Sequence, residues 1–360
     1  MSKNKCDTIC KKTSIGGQAL IEGIMMRGPE RTVMCVRTQE KEIVTEDVKF
    51  PNPAKACPVL KIPVIRGVAN FISTMIVGMK TLMRSADLSG MTALEEEEEE
   101  AKKKEKLRKK AEKKGLDFEE LLKKEEEKPK KLSNAVLGVI MAIGSVLGVL
   151  LAVFLFMYIP TVLFNLLNSA VTPNVSLTVE SVQNGVLQNW RAFFEGVVKI
   201  IIFIGYMLIV SQMSDIKRLF KYHGAEHKTI FCYEQGLPLT VENVKKQSRF
   251  HPRCGTSFMF LMIAVGILFS TIIIIFAPQI TKITALWVTI KILLVPLFCG
   301  VGYELLKICG KYDNLVTKII ATPGLWVQRI STKEPDDDII EVAIKAMEAV
   351  IPENKDLDNI

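Results

Sequence analysis

Four long apolar stretches constrain this 360-residue chain more than any other feature. The first begins near Leu132 and continues to about Leu167, and the second runs from about Ala192 to Met213. The third covers Ser257 to Ile280 and the fourth Ala285 to Leu306, joined by a tight turn around Pro278. Each meets the ~20 residues that a helix needs to cross a bilayer core, and at such length buried helices of a soluble protein are a poor alternative. The first is longer than one crossing requires, so it tilts, kinks at Pro160 or leaves the membrane as a helix. An apolar fraction of 49% beside 24% charged residues fits spans that alternate with very polar segments.

Basic residues orient these spans. The connection from Asn168 to Arg191 carries a single basic residue, whereas Ser214 to Thr256 carries eight, from Lys217 to Arg253. The basic connection belongs on the cytoplasmic side. This predicts a multi-pass protein of the cell membrane, with both termini cytoplasmic and the lipid bilayer as its partner. Met1 to Lys12 is polar and holds no apolar core of a signal peptide. The outer connections contain no cysteine, so the eight cysteines read as reduced thiols. A net charge of +8 comes mostly from lysines in a mixed-charge run or beside the spans; no basic face with interleaved aromatics suggests nucleic acid.

The polar segments divide as follows. Residues 1–62 form a β-containing cytoplasmic segment: after Cys6 and Cys10, the stretch GGQALIEGIMMRGPE (Gly16 to Glu30) reads as a packed, glycine-rich loop. Thr32 to Arg37 and Glu42 to Val48 then read as a β-hairpin ended by Pro51, Pro53 and Pro58. Residues 63–85 have apolar positions such as Val68, Ile72, Met75 and Met79 at helical spacing, which predicts an amphipathic helix in the membrane interface. Residues 86–131 are a charged linker or solvated helix, because the run from Glu95 to Lys131 has almost no apolar seam. Residues 132–306 hold the four spans, and residues 307–360 form a cytoplasmic C-terminal segment. There Trp326 is an interfacial aromatic, and Asp338 and Glu341 open a helix with Ile340, Ala343, Ile344 and Met347 on one face. The fold class is therefore a mainly α membrane protein of about four transmembrane helices, with a small cytoplasmic α+β domain that starts with a β-hairpin.

All three histidines fall in the connection 214–256. His223 and His227 stand four apart, so on a helix both imidazoles leave one face, with Glu226 beside them. His251 and Cys254 follow closely around Pro252. Imidazole and thiolate are ligands for zinc and similar borderline ions. One Zn²⁺, or another divalent transition metal, could gather His223, His227, His251 and Cys254. With Cys254 as fourth ligand the site is closed and structural; with three histidines and an open place it can polarise water. The spacing H-x-x-E-H is also that of inverted zinc peptidases, where the glutamate is a general base. Glu226 is then the catalytic base, and Arg253 or Arg27 stabilises negative charge. Gln18, Glu22, Arg27 and Glu304 are possible supporting residues; Glu304 lies near the inner end of the fourth span, on the side of the histidines. Glu195 lies near the outer end of the second span, close enough to the interface for solvent, and Lys199 and Lys291 are expected to snorkel outward.

The motifs GGQALIEGIMMRGP, YHGAEHKTI followed by HPRCGTSF, and PGLWVQRISTKEPDDDIIEVA give the chain a resemblance to the YqhQ-like bacterial membrane family, a domain family of unknown function. The resemblance spans nearly the whole chain apart from Glu95 to Lys131. It implies an integral membrane protein with no settled activity, whose recurring elements fall on His223, Glu226, His227, His251, Arg253 and Cys254. The chain departs from the inverted zinc peptidases in having its third ligand nearby. Two functions follow: a membrane-associated metal-dependent hydrolase acting on an unknown substrate at the cytoplasmic face, or a scaffold with a closed metal site that holds a protein partner. Transport is a weaker third, with four spans, few midplane polar groups and no evident repeat.

Overall fold

The computed structural model describes residues 12–51, 58–91, 108, 134–171, 190–312 and 314–358. Cys6, Cys10 and the charged run from Glu95 lie outside the described residues, apart from Arg108, as does most of the connection after the first span.

The N-terminal segment is a four-stranded antiparallel sheet in sequential order, β1 (Gly16–Leu20), β2 (Gly23–Arg27), β3 (Thr32–Arg37) and β4 (Ile43–Asp47). The expected hairpin is β3–β4, with Cys35 opposite Thr45. The preceding stretch is a second hairpin and not the packed loop that its glycines suggested. Ile24 and Met26 are fully buried, and their packing outweighs the local turn preference. Glu22 takes the positive φ of 50° in the two-residue turn between β1 and β2.

Helix α1 (Ile65–Leu88) inverts the usual amphipathic logic. It buries small residues, Gly67, Ser73, Val77, Gly78, Thr81 and Ser85. Ile72, Met75, Ile76 and Met79 are each at least 50% exposed. A Cβ at Gly67 would come 2.9 Å from the carbonyl of Gly300 in the last span, so the glycine lets the two helices touch.

The first span combines α2 (Asn134–Val153) and α3 (Ile159–Val171) around a π-helical turn at Phe154–Tyr158. That wide turn sits just before Pro160, whose missing N–H breaks the regular ladder. α4 (Arg191–Val210) is the second span, and α5 (Ser214–Glu234) follows it with Asp215 in its first turn. The short α6 (Val241–Lys245) is capped by Thr240, which accepts from the Asn243 N–H at 3.3 Å. α7 (Gly255–Phe276) and α8 (Thr284–Lys311) complete four helices long and apolar enough to cross a membrane. α9 (Leu315–Ser331) starts in a capping box of Asn314 and Thr317 and leaves Trp326 65% exposed. α10 (Asp337–Glu348) follows, and a 3-10 turn at Lys355–Asp358 comes after it. The cap position of α10 is Asp336 and not Asp338, and Glu341 pairs with Arg37 at 2.9 Å instead of capping.

The core outside the spans lies between the sheet, α5 and α10. Ile24, Met26, Val33, Tyr222, Ile339, Ile340, Ala343 and Met347 are buried together there, and Ile344 packs against them. Within the spans, the expected outward snorkelling of Lys291 does not occur. Its ammonium is buried and donates to Glu195 and, at 3.1 Å, to Thr161. Glu195 also accepts from Arg191 Nε at 3.1 Å and Trp287 Nε1 at 3.1 Å, so it too is buried and not solvated. At this depth an ion pair costs less than a lone charge facing lipid. Lys199 is half-buried.

Candidate metal centre

Helix α5 places its histidines by periodicity. His223 and His227 lie one turn apart with ring centroids at 4.4 Å. Gly224 between them lets the chain from Ser331 to Lys333 run directly against the helix, since a Cβ there would collide with the Lys333 carbonyl. Cys254, the residue just before span α7, brings its Sγ to 3.1 Å from His223 Nε2. One ligand atom from each of His223, His227 and Cys254 lies within 4.8 Å of the others.

The backbone fixes how the imidazoles present themselves. His223 Nδ1 lies 2.8 Å from the Ser331 carbonyl, and His227 Nδ1 lies 2.6 Å from that of Arg249. A carbonyl only accepts, so both Nδ1 atoms carry protons and both Nε2 atoms turn to the centre. Such carbonyl-tied imidazoles are the usual support of metal-ligating histidines. Burial alone would raise the Cys254 thiol, but the charges of His223 and His227 outweigh it and hold the thiol well below its ordinary value. For His223, burial opposes charge, yet Cys254 and Glu226 push it up to about 9. Both shifts favour a thiolate beside a protonated imidazole, an arrangement in which a divalent ion could take the place of the proton between them.

Glu226 is buried beside the three and accepts the Gly17 N–H; burial raises its pKa, against the pull of His227 and His223. A cavity of about 500 Å³ opens here, bounded by the chain from Ser14 to Ala19, by the α5 residues Phe220, His223, Glu226 and His227, and by Arg253 to Thr256.

The structure keeps His251 on the cavity wall but out of the triad. Its Nε2 faces Glu234 at 3.7 Å and Arg253 Nη2 at 3.3 Å, and its backbone is held by Gln328 through two bonds of 2.7 Å. Burial keeps this imidazole below its ordinary value. Arg253 is engaged by Glu234 and the Thr13 carbonyl, so it clamps the N-terminal segment over the site. Gln18 lines the cavity while its amide lies against Gly78 of α1. The other supporting candidates are elsewhere. Glu22 pairs with Arg218 and accepts from Tyr222 Oη at 3.2 Å; Arg27 covers the Phe50 ring at 3.8 Å. Glu304 binds Arg66 through bonds of 2.7 and 2.5 Å and ties α1 to α8. The Ser331 and Arg249 carbonyls, Glu234 and the Gly17 N–H were not singled out by sequence for these roles. Only the paired glycines of β1 gave a signal.

A family described as "Protein of unknown function (DUF1385)" matches residues 62–353, a range that includes the triad, Glu226 and all four spans. The chain belongs to this DUF1385 family. It is also 32% identical over 354 residues to the "Uncharacterized protein YqhQ" of Bacillus subtilis (strain 168), covering 98% of this chain and 95% of that one. No solved structure matches. The DUF1385 chain is thus one with four apolar helices that fit a membrane protein and a His/His/Cys cluster able to hold a metal ion.

Proposed function

We propose that this protein is a membrane-associated, metal-dependent hydrolase whose centre is held by His223, His227 and Cys254. The observation that carries this reading is the donor set: two imidazoles tied through Nδ1 to backbone carbonyls, with His223 Nε2 on the Cys254 sulfur and His227 bonded to the same sulfur. Three protein ligands beside a cavity leave a place for water, the arrangement of catalytic and not structural zinc. A bound Zn²⁺ or similar ion would supply Lewis acidity and a more acidic water. Glu226 would be the residue to take a proton from such a water and return it to a leaving group, and its burial suits that role by raising its proton affinity. Arg253 and His251 serve as the clamp and wall of the site. The eight basic residues of the connection 214–256 support a cytoplasmic position for the cavity. A Lys246→Cys variant that reacts with an impermeant maleimide in intact cells would contradict that orientation.

Cobalt substitution tests the centre without a known substrate. The expected spectrum has tetrahedral bands and a thiolate charge-transfer band that disappears in Cys254→Ala. Acetohydroxamate should perturb it by entering the open place, and Glu226→Gln should keep the metal but shift the pH at which the spectrum titrates. A spectrum indifferent to acetohydroxamate would mean a closed site and favour the scaffold reading.

A further inference from the structure

Strand β1 is an edge of the sheet, and it borders the cavity. Its hairpin closes with Leu20 opposite Gly23, and from such a closing pair hydrogen-bonded and non-bonded pairs alternate. Leu20, Gln18 and Gly16 therefore bond to β2, while Ala19 and Gly17 turn their N–H and C=O groups away from the sheet. Two contacts agree with this parity: the Gly17 N–H reaches Glu226, and the Glu22 carbonyl bonds across to Arg37 N–H at 2.8 Å, leaving Gly23 to face β1. Among the described residues, the Gly17 carbonyl and the N–H and carbonyl of Ala19 make no backbone bond outside the sheet. The Gly17 position is also too close to Glu226 for a side chain, since a Cβ would lie 3.1 Å from the carboxyl carbon. An edge with outward backbone groups at Gly17 and Ala19, both small, and a base at its flank is a template for an added strand.

We propose that the substrate is an extended polypeptide segment that joins β1 as a fifth strand. Its backbone bonds to Gly17 C=O and Ala19 N–H, and its scissile carbonyl is thereby delivered over His223, His227 and Cys254. This rests on the hydrolase reading of the same site. The reaction is amide hydrolysis: the oxygen of water bonds to the carbonyl carbon, the C–N bond breaks, and the water's proton passes through Glu226 to the departing nitrogen. Because Cys254 immediately precedes span α7, the segment is cut at the membrane surface.

The test compares four probes on the zinc-loaded full chain in detergent: acetohydroxamate, a tripeptide hydroxamate, its analogue with one amide replaced by an ester, and a medium-chain acyl hydroxamate. The tripeptide should bind on the order of tenfold tighter than acetohydroxamate through its strand bonds, and the ester should lose much of that gain. Ala19→Pro removes an outward N–H at an edge position, where proline is tolerated, and should erase the gain, with acetohydroxamate binding on the same variant as the check that the metal centre is intact. The inference is overturned if the peptide gives no gain, or if the gain survives both the ester and Ala19→Pro. It is equally overturned, in favour of a lipid substrate, if only the acyl chain tightens binding. In those outcomes acetohydroxamate still binds and the hydrolase reading stands; a chain that holds neither metal nor acetohydroxamate removes both.

Discussion

Gly224→Ala should loosen the metal centre without touching a ligand. The added Cβ would collide with the Lys333 carbonyl, which belongs to backbone and not to a flexible side-chain end. The segment is held to α5 by the Lys333 N–H to the Phe220 carbonyl at 2.9 Å, and two residues earlier the Ser331 carbonyl holds His223 Nδ1 at 2.8 Å. A retreat of roughly 1 Å takes that second contact beyond about 3.6 Å, where no hydrogen bond remains. Overpacking and one lost bond together cost about 2 to 4 kcal/mol of stability. Losing the tie on an imidazole of the proposed centre should weaken metal binding by about 10- to 100-fold. Chelator competition on the detergent-purified variant reads the second effect, and thermal unfolding of the metal-free protein reads the first. A Gly224→Ala protein with unchanged metal affinity would refute the argument that backbone carbonyls orient this site.

Two further predictions concern the supports of the fold. Glu195→Gln strips the counter-charge from Arg191 and Lys291 inside the span bundle and should destabilise by about 3 to 5 kcal/mol, with Lys291→Met recovering part of the loss in a thermal melt. Although burial opposes its charge, Glu234 is held below its ordinary value by His251 and Arg253, so its contribution is complete above the unfolded carboxylate value and fades as pH falls through the lower folded one. Melting temperature should therefore drop in the range below about pH 4.3, and Glu234→Gln should flatten that drop.

How much of this was legible in the sequence follows from how local each cause is. The four spans depend on length and apolar content alone, and they can be read directly. The β3–β4 hairpin announces itself by its β-branched residues, but β1 and β2 became strands because Ile24 and Met26 pack beneath α10 from some three hundred residues away. The i, i+4 spacing of His223 and His227 needed only a helix. Choosing between His251 and Cys254 needed Gln328, Glu234 and Arg253, which pin His251 from other elements. The Ser331 and Arg249 carbonyls leave no mark in a sequence, since every residue has one. Lys291 looked like a snorkelling residue because its partner Glu195 sits on another span.

The most direct measurement is the metal content of the detergent-purified protein, with His223→Ala, Cys254→Ala and His251→Ala beside the wild type. A centre made by His223, His227 and Cys254 requires stoichiometric metal in the wild type and in His251→Ala, and its loss from His223→Ala and Cys254→Ala. A wild-type protein without metal, or metal that depends on His251 and not on Cys254, would contradict it.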